Sequence, residues 1–297
     1  MNYFTIKDVE NLSGIKAHTW RIWEQRHQIC LPQRKVSNHR FYDSENMKQI
    51  LRISYLYHTG IKISNIAKLN EEQVLAMASK NCNETHEDNY YIKELLEASF
   101  DFDVEKFENI CAKIFSAMPT EKAVLNIIYP FLERVGVLWL TDHMLLAQEH
   151  FTSNIIRNRI IAAINNLPKK TAADSDSIIL FTPEKEQHEM PLLFIHYLLK
   201  KAGKKVHYFG SNIKLSVIKE FEKTYKITHL YFLLITNFTN QNAEQYLQDV
   251  AKKFPAQKII MSGTQAAYII SKPTNCIVLT SIQAILDYTE RENFGSI

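Results

Sequence analysis

What this 297-residue chain lacks narrows its identity first. No stretch approaches the ~18 consecutive apolar residues of a membrane-spanning helix. The opening Met-Asn-Tyr-Phe-Thr-Ile has neither the basic nor the apolar region of a secretory signal, so a cytoplasmic protein is expected. Cysteine is scarce: Cys30, Cys82, Cys111 and Cys276 are scattered and form no C-x-x-C pair. That spacing argues against a zinc site or a disulfide framework and for reduced packing residues. The apolar share of 46% is ordinary for a globular chain, and the length allows two or three domains.

Excess positive charge is missing from most of the chain. Residues 1–70 carry 11 Lys and Arg against 5 Asp and Glu, which leaves 24 against 27 in the other 227. A basic N-terminal segment is an electrostatic footprint for phosphate contacts. Within it, Thr5–Leu12 reads as a short helix with Ile6, Val9 and Leu12 on one side, Ser13-Gly14-Ile15 as a tight turn, and Lys16–Gln25 as a second helix. This second helix offers Lys16, His18, Thr19 and Arg21 for contact, with Trp20 and Trp23 read as core, a make-up that suits a recognition helix in a major groove. Arg34, Lys35 and Arg40-Phe41-Tyr42 follow in a loop-rich stretch that reads as a wing on the DNA backbone. A third helix over about Ser44–His58 stops at Gly60, and a fourth starts within Ile61–Ile66.

Residues 3–69 resemble the winged helix-turn-helix domain of MerR-family transcription regulators. The resemblance rests on Tyr3-Phe4-Thr5-Ile6, Ser13-Gly14-Ile15, Thr19-Trp20-Arg21-Ile22-Trp23-Glu24, Pro32-x-Arg34, Asn38-x-Arg40-x-Tyr42 and Gly60-Ile61, whose spacings agree together. Asn38 stands where the family usually has glycine, and asparagine tolerates the left-handed backbone better than most side chains. The resemblance implies that Arg21 and Arg40 contact phosphates of double-stranded operator DNA, and that Tyr42 helps hold the wing beside Arg34. Lys16, His18 and Thr19 are candidates for base or phosphate contacts.

Residues 71–90 are polar and read as a linker. From Tyr91 to about Asn166 a helical period returns through Ile92, Leu95, Leu96 and Phe100, then Phe107, Ile110 and Phe115, then Val124, Ile127, Ile128 and Phe131, enough for a four-helix bundle. Strand-like runs then occur at 177–182, 206–210, 229–236, 258–262 and 276–280, each followed by a helix-like stretch. Nearly continuous apolar strands alternating with helices imply a parallel sheet covered on both faces. The expected organisation is therefore multidomain, α and α/β: a winged helix-turn-helix at 1–75, a linker at 76–90, a helical-bundle cap at 91–168 and a doubly wound, flavodoxin-like five-stranded sheet at 174–297.

Glu186-Gln-His188-Glu-Met-Pro191 lies just beyond the first of those strands. Ligands of open parallel sheets collect in the crevice outside the strand carboxyl ends. A carboxylate two residues before an imidazole can take one ring N–H and leave the other nitrogen for a metal. An isolated E-x-H is ordinarily a solvated loop, because a metal-binding histidine needs company.

Residues 91–290 resemble the two-part cobalamin-binding module attached to MerR-type regulators that sense adenosylcobalamin and light. The carrying residues are Trp139 with Glu149-His150 ten positions on, Glu186-x-His188-x-x-Pro191 after the first strand, Thr236 after the third and Ser262-Gly263 after the fourth. The resemblance implies that His188 is the lower cobalt ligand, tuned by Glu186, and that the nucleotide tail descends beside Thr236, Ser262 and Gly263. Trp139, Glu149 and His150 would cover the upper corrin face. Pro191 and Ser262 stand where the family has glycine, and Leu140 follows Trp139 where light-sensing relatives have a histidine; His143 lies on a similar helix face. The implied protein is a non-enzymatic, homo-oligomeric transcription regulator with cobalamin and DNA as partners and no membrane. Two alternatives remain open: a vestigial pocket answering another ligand or a protein partner, and a corrinoid protein of methyl transfer.

Overall fold

A computed structural model describes residues 4–13, 15–34, 40–58, 60–80, 87–140, 144–168, 177–236 and 242–290. They fall into two compact units, Met1–Arg159 and Ile160–Ile297. Cys82, Lys35, Asn38 and His143 lie outside the described residues, as do the side chains of Arg34, Arg40, Trp139 and Leu140.

The first unit opens with α1 (Ile6–Ser13) and α2 (Ala17–His27). Thr5 and Asp8 form a reciprocal cap on α1: the Thr5 amide and hydroxyl donate to Asp8 Oδ2 at 2.7 and 2.5 Å. Ser13 pins the turn, its Oγ donating to the Val9 carbonyl and accepting from Trp20 Nε1 at 3.0 Å. Trp20 and Trp23 are both buried and meet edge to face, so they are core, as the sequence indicates. Two short strands, β1 (Gln33–Arg34) and β2 (Arg40–Phe41), pair antiparallel as the base of a wing. Next come α3 (Ser44–His58), α4 (Ile63–Ile66) and α5 (Glu71–Lys80). Gly60, at φ +95°, takes the left-handed turn between α3 and α4 that the sequence assigns to it. The expected linker is shorter than its polarity suggests: α5 runs to Lys80, buries Val74 and receives Arg52 Nη1 on Glu71. Tertiary packing there overrides local composition.

Four helical runs follow. They are α6 (Glu87–Asp101), α7 (Val104–Ala117), a third run made of α8 (Thr120–Ala123), a π-helical segment (Val124–Ile128) and α9 (Tyr129–Leu140), and then α10 (Leu146–Asn165). Leu95, Leu96, Phe107, Ile110, Ile114, Val124, Ile127, Ile128, Phe131 and Ile156 are buried among them, which is the bundle that the apolar period predicts. Asp103 caps α7 by accepting from the Lys106 amide at 3.0 Å.

The second unit carries β3 (Ser177–Pro183), α11 (Glu189–Lys201), β4 (Lys205–Ile213), α12 (Leu215–Glu222), β5 (His229–Leu233), α13 (Ala243–Lys253), β6 (Lys258–Ser262), a 3₁₀ turn (Thr264–Tyr268), β7 (Cys276–Leu279) and α14 (Ile282–Glu290). The strands are parallel in the order β4-β3-β5-β6-β7. Every residue of β3 and β5 is buried, as expected of central strands covered on both faces. Ile179, Phe181, Leu230, Phe232, Ile259 and Met261 share one face with Leu247 and Val250 of α13. One βα unit departs from expectation: β6 is followed by a single 3₁₀ turn, because Thr264 Oγ1 and Gln265 Nε2 donate to the Ile235 carbonyl and divert the chain. The strand order reverses between β3 and β5, and that switch point opens the ligand crevice of such a sheet.

Candidate functional site

The crevice is built from the ends of β3 and β5. After Pro183 the chain turns through Lys185, at φ +74°, and is tied to β4. The Lys185 amide donates to Asn212 Oδ1 at 2.8 Å, and Thr182 Oγ1 donates to the Glu186 carbonyl at 2.6 Å. Glu186 is thereby turned inward, with its side chain 1% exposed. Its two oxygens are saturated. Oε1 accepts from the His188 amide at 3.1 Å and faces His188 Nδ1 at 2.6 Å; Oε2 accepts from the amides of Ile235 and Thr236 at 2.8 and 2.7 Å and from Thr236 Oγ1 at 2.9 Å.

Burial opposes ionisation of Glu186, but the bonds from His188 and from the Thr236, Ile235 and His188 amides outweigh it and hold the carboxyl down at about 2. An ionised Glu186 fixes the proton of His188 on Nδ1. Its hydrogen bond raises the imidazole above its ordinary 6.5, partly opposed by burial. His188, at the N-terminus of α11, remains 50% exposed on its side chain, and Nε2 faces outward without a protein partner among the described residues.

No group of three or more His, Cys, Asp or Glu able to cage a metal ion occurs among the described residues. A single oriented imidazole backed by a buried carboxylate is incomplete for a bare ion. It suits a metal that arrives with its other ligands in place, as cobalt does in a corrin. The residues present fit that group.

The remaining expected contacts divide. Thr236 commits both its amide and its hydroxyl to Glu186, so it serves the site through that carboxylate. Ser262 is fully buried beside Tyr231 of the neighbouring strand, and the two hydroxyls face one another. Gly263, at φ +108°, is required by the protein itself: a Cβ there would lie 2.2 Å from the Leu234 carbonyl oxygen. Pro191 is the third residue of α11, where its missing N–H has no intrahelical acceptor to lose.

Trp139 lies on α9. Glu149 and His150 lie on α10, paired at 2.9 Å between Oε2 and Nδ1, with Ser153 Oγ donating to Glu149 Oε1 at 2.7 Å and His150 exposed. The sequence readings single out this pair but miss Gln148 beside it, whose buried amide donates to the Ser99 and Phe100 carbonyls at 3.2 and 3.1 Å.

On the DNA side, Lys16, His18 and Arg21 are exposed and Thr19 is half-buried. Lys16 pairs with Glu10 at 2.8 Å. Arg34 and Arg40 occupy paired positions across the wing. Tyr42 supports the wing from within and offers no surface to DNA: it is fully buried, bridges Phe4 across the strand backbone, and donates its hydroxyl to buried Glu24. Ile22, Gln25 and Arg26 are exposed on the same side of α2 as His18 and Arg21 and were overlooked; the burial of Trp20, Trp23 and Glu24 at helical spacing marks the opposite face.

A winged helix-turn-helix, a four-helix bundle and a flavodoxin-like sheet with an oriented imidazole at its switch point define a DNA-binding protein joined to a corrinoid-type module. The comparisons agree. Residues 4–73 match the MerR HTH family regulatory protein family, and residues 91–163 match the B12 binding domain family. The chain is 24% identical over 217 residues to the HTH-type transcriptional repressor CarH of Myxococcus xanthus, covering 71% of this chain and 71% of that one. It is 22% identical over 216 residues to the repressor CarA of the same organism, covering 72% and 70%. In fold it is similar to the Methanosarcina barkeri monomethylamine corrinoid protein, with a TM-score of 0.55 at 14% identity over 68% of this chain and 99% of that one. The chain thus joins a region similar to MerR HTH regulators to one similar to the B12 binding domain, the two parts in which it is matched. These matches support a cobalamin-sensing transcription regulator. No helix among the described residues is long and apolar enough to cross a membrane.

Proposed function

We propose that this chain binds operator DNA through α2 and its wing and senses adenosylcobalamin through His188, with occupancy changing its oligomeric state and its hold on DNA. The observation that carries the reading is the Glu186–His188 unit: a carboxylate that is buried, ionised and fully bonded orients one imidazole nitrogen outward at the switch point. When bound, the corrin supplies the cobalt and a light-labile cobalt–carbon bond. His188 would hold the cobalt through Nε2, with Glu186 keeping the ring in the Nδ1–H tautomer and raising its basicity. Trp139, Glu149 and His150 would cover the corrin, and Ser262 and Gly263 would receive its tail. Lys16, His18, Thr19, Arg21, Arg34 and Arg40 contact DNA, with Tyr42 supporting the wing from beneath. Leu140 follows Trp139 where light-sensing relatives have a second histidine, so the chain would offer the cobalt one imidazole, that of His188. No catalytic step is assigned to the chain.

For a ligand to switch the protein it must favour one assembly over another. The test is anaerobic titration of the purified chain with adenosylcobalamin in darkness, read by corrin absorbance, mass and DNA affinity, then repeated after illumination. The reading expects a bound corrin spectrum, a change of mass in the dark and reversal by light. Absence of bound corrin, or binding that alters neither mass nor DNA affinity, overturns it.

A further inference from the structure

Within the first unit, the DNA-binding region meets the helical cap across a buried seam built from charge. Arg52 of α3 sends Nε and Nη2 to the two carboxylate oxygens of Glu97 of α6, at 3.0 and 3.1 Å, in a fork-to-fork pair. The side chains are 13% and 2% exposed. One turn earlier on α3, buried Lys48 donates to both oxygens of Asp101, the last residue of α6, at 3.0 and 2.9 Å. Lys93 of α6, also buried, lies 2.9 Å from Glu94 Oε1, with its ammonium 4.9 Å from the Tyr90 ring and 5.8 Å from that of Tyr55. Tyr55 and Tyr90 meet edge to face, as do Phe4 and Phe100.

A seam of this composition is a poor source of stability, since buried ion pairs are often matched or bettered by apolar packing of the same volume. Its property is discreteness. The fork accepts one register of α3 on α6: after a slip Glu71 can still hold Arg52 and Lys106 can still hold Glu97, but only the engaged register joins Arg52 to both oxygens of Glu97, so the two-pronged contact is either made or lost. Arg52 also lines a cavity of about 290 Å³ shared with His27, Gln28 and Cys30 at the end of α2, where Gln28 and Cys30 hold left-handed backbones at φ +56° and +46°. The same end of α6 is also tied to α10. Gln148, which immediately precedes Glu149 and His150, grips the Ser99 and Phe100 carbonyls in the last turn of α6. Thus a continuous set of bonds runs from the α10 segment that carries Glu149 and His150, through Gln148 and the end of α6, to Glu97, Asp101 and α3.

We infer that Glu97 and Arg52 are positioning residues through which the cap fixes the DNA-binding region, so that corrin occupancy reaches operator affinity along α6. The inference rests on the cobalamin-sensing reading above and adds the route. It is tested on the full chain by measuring affinity for a duplex selected from a random pool, with and without adenosylcobalamin in darkness. Wild type should show a ratio of about tenfold between the two states, within the usual range of coupling between sites. E97Q and R52Q should bring this ratio below about twofold while corrin titration is unchanged. The double variant R52M/E97L removes both charges of the fork together, leaves Glu94 beside Lys93 and Lys106, and, with its folding checked by a thermal melt against wild type, should still have lost the ratio. Q148L, which cuts the route on its α10 side, should lose it with corrin-free DNA affinity unaltered. Variants that weaken DNA binding equally in both states and keep the wild-type ratio overturn the route. A wild-type chain whose DNA affinity ignores bound corrin overturns the sensing reading instead.

Discussion

Glu186 shows how a carboxylate in a nearly dry site stays charged: five hydrogen bonds from protein groups replace its water. Three of them come from residues about 50 positions later, which is why the sequence shows the E-x-H spacing but not the buried cradle. Losing such a supporting group typically weakens a metal site about 10- to 100-fold. Glu186→Gln should therefore reduce corrin affinity by that factor in an absorbance titration, and His188→Ala should remove the imidazole-ligated spectrum altogether. The sign of the pH dependence follows from the two shifts. Glu186, held down at about 2 from 4.5, adds stability above pH 4.5 that disappears as pH falls toward 2. His188, raised above 6.5, adds stability that is complete below pH 6.5 and fades as pH rises through its folded value. The pair is worth most between these limits. Cobalt needs the neutral ring, so ligation should instead strengthen as pH rises through the His188 value, measurable as corrin affinity against pH.

At the scale of elements, the periodicities were sufficient to place most helices and strands, because the apolar stripe of each is local. What failed was local too, but decided by distant atoms. The polar stretch after residue 70 forms α5 because Glu71 receives Arg52 and Val74 is buried. The helix expected after β6 is replaced by a 3₁₀ turn gripped by the end of β5. Gly263 is the hinge of that grip. Gly263→Ala combines a left-handed backbone with a contact no neighbour can relieve, since the opposing atom is the Leu234 carbonyl. It should destabilise the chain by about 2–4 kcal/mol in denaturant unfolding and weaken corrin binding through the displaced Ile235 and Thr236 amides. A variant of wild-type stability would show that Leu234 and Gly263 separate at little cost.

For the whole molecule, the charge imbalance of the first 70 residues becomes an oriented surface once α2 buries its tryptophans and turns Lys16, His18, Arg21 and Arg26 outward. Phosphate contacts release counterions, each contributing about 0.9 to the slope of log affinity against log salt. Arg21→Ala should lower that slope by about one without altering sequence preference in a salt series on the selected duplex. Lys16→Ala should cost less, because Glu10 already pairs with Lys16.

Local chemistry, read from the sequence by itself, determined the order of helices and strands, the polar face of α2, the bundle and the imidazole at the first strand's end, since spacing, capping and apolar period act within a few residues. Only the tertiary structure decided which groups neutralise one another. It buried Tyr42 against Glu24, surrounded Glu186 with the end of β5, and locked Arg52 into Glu97. Buried polar atoms must find partners wherever the fold brings them, and that condition links residues no sequence window contains.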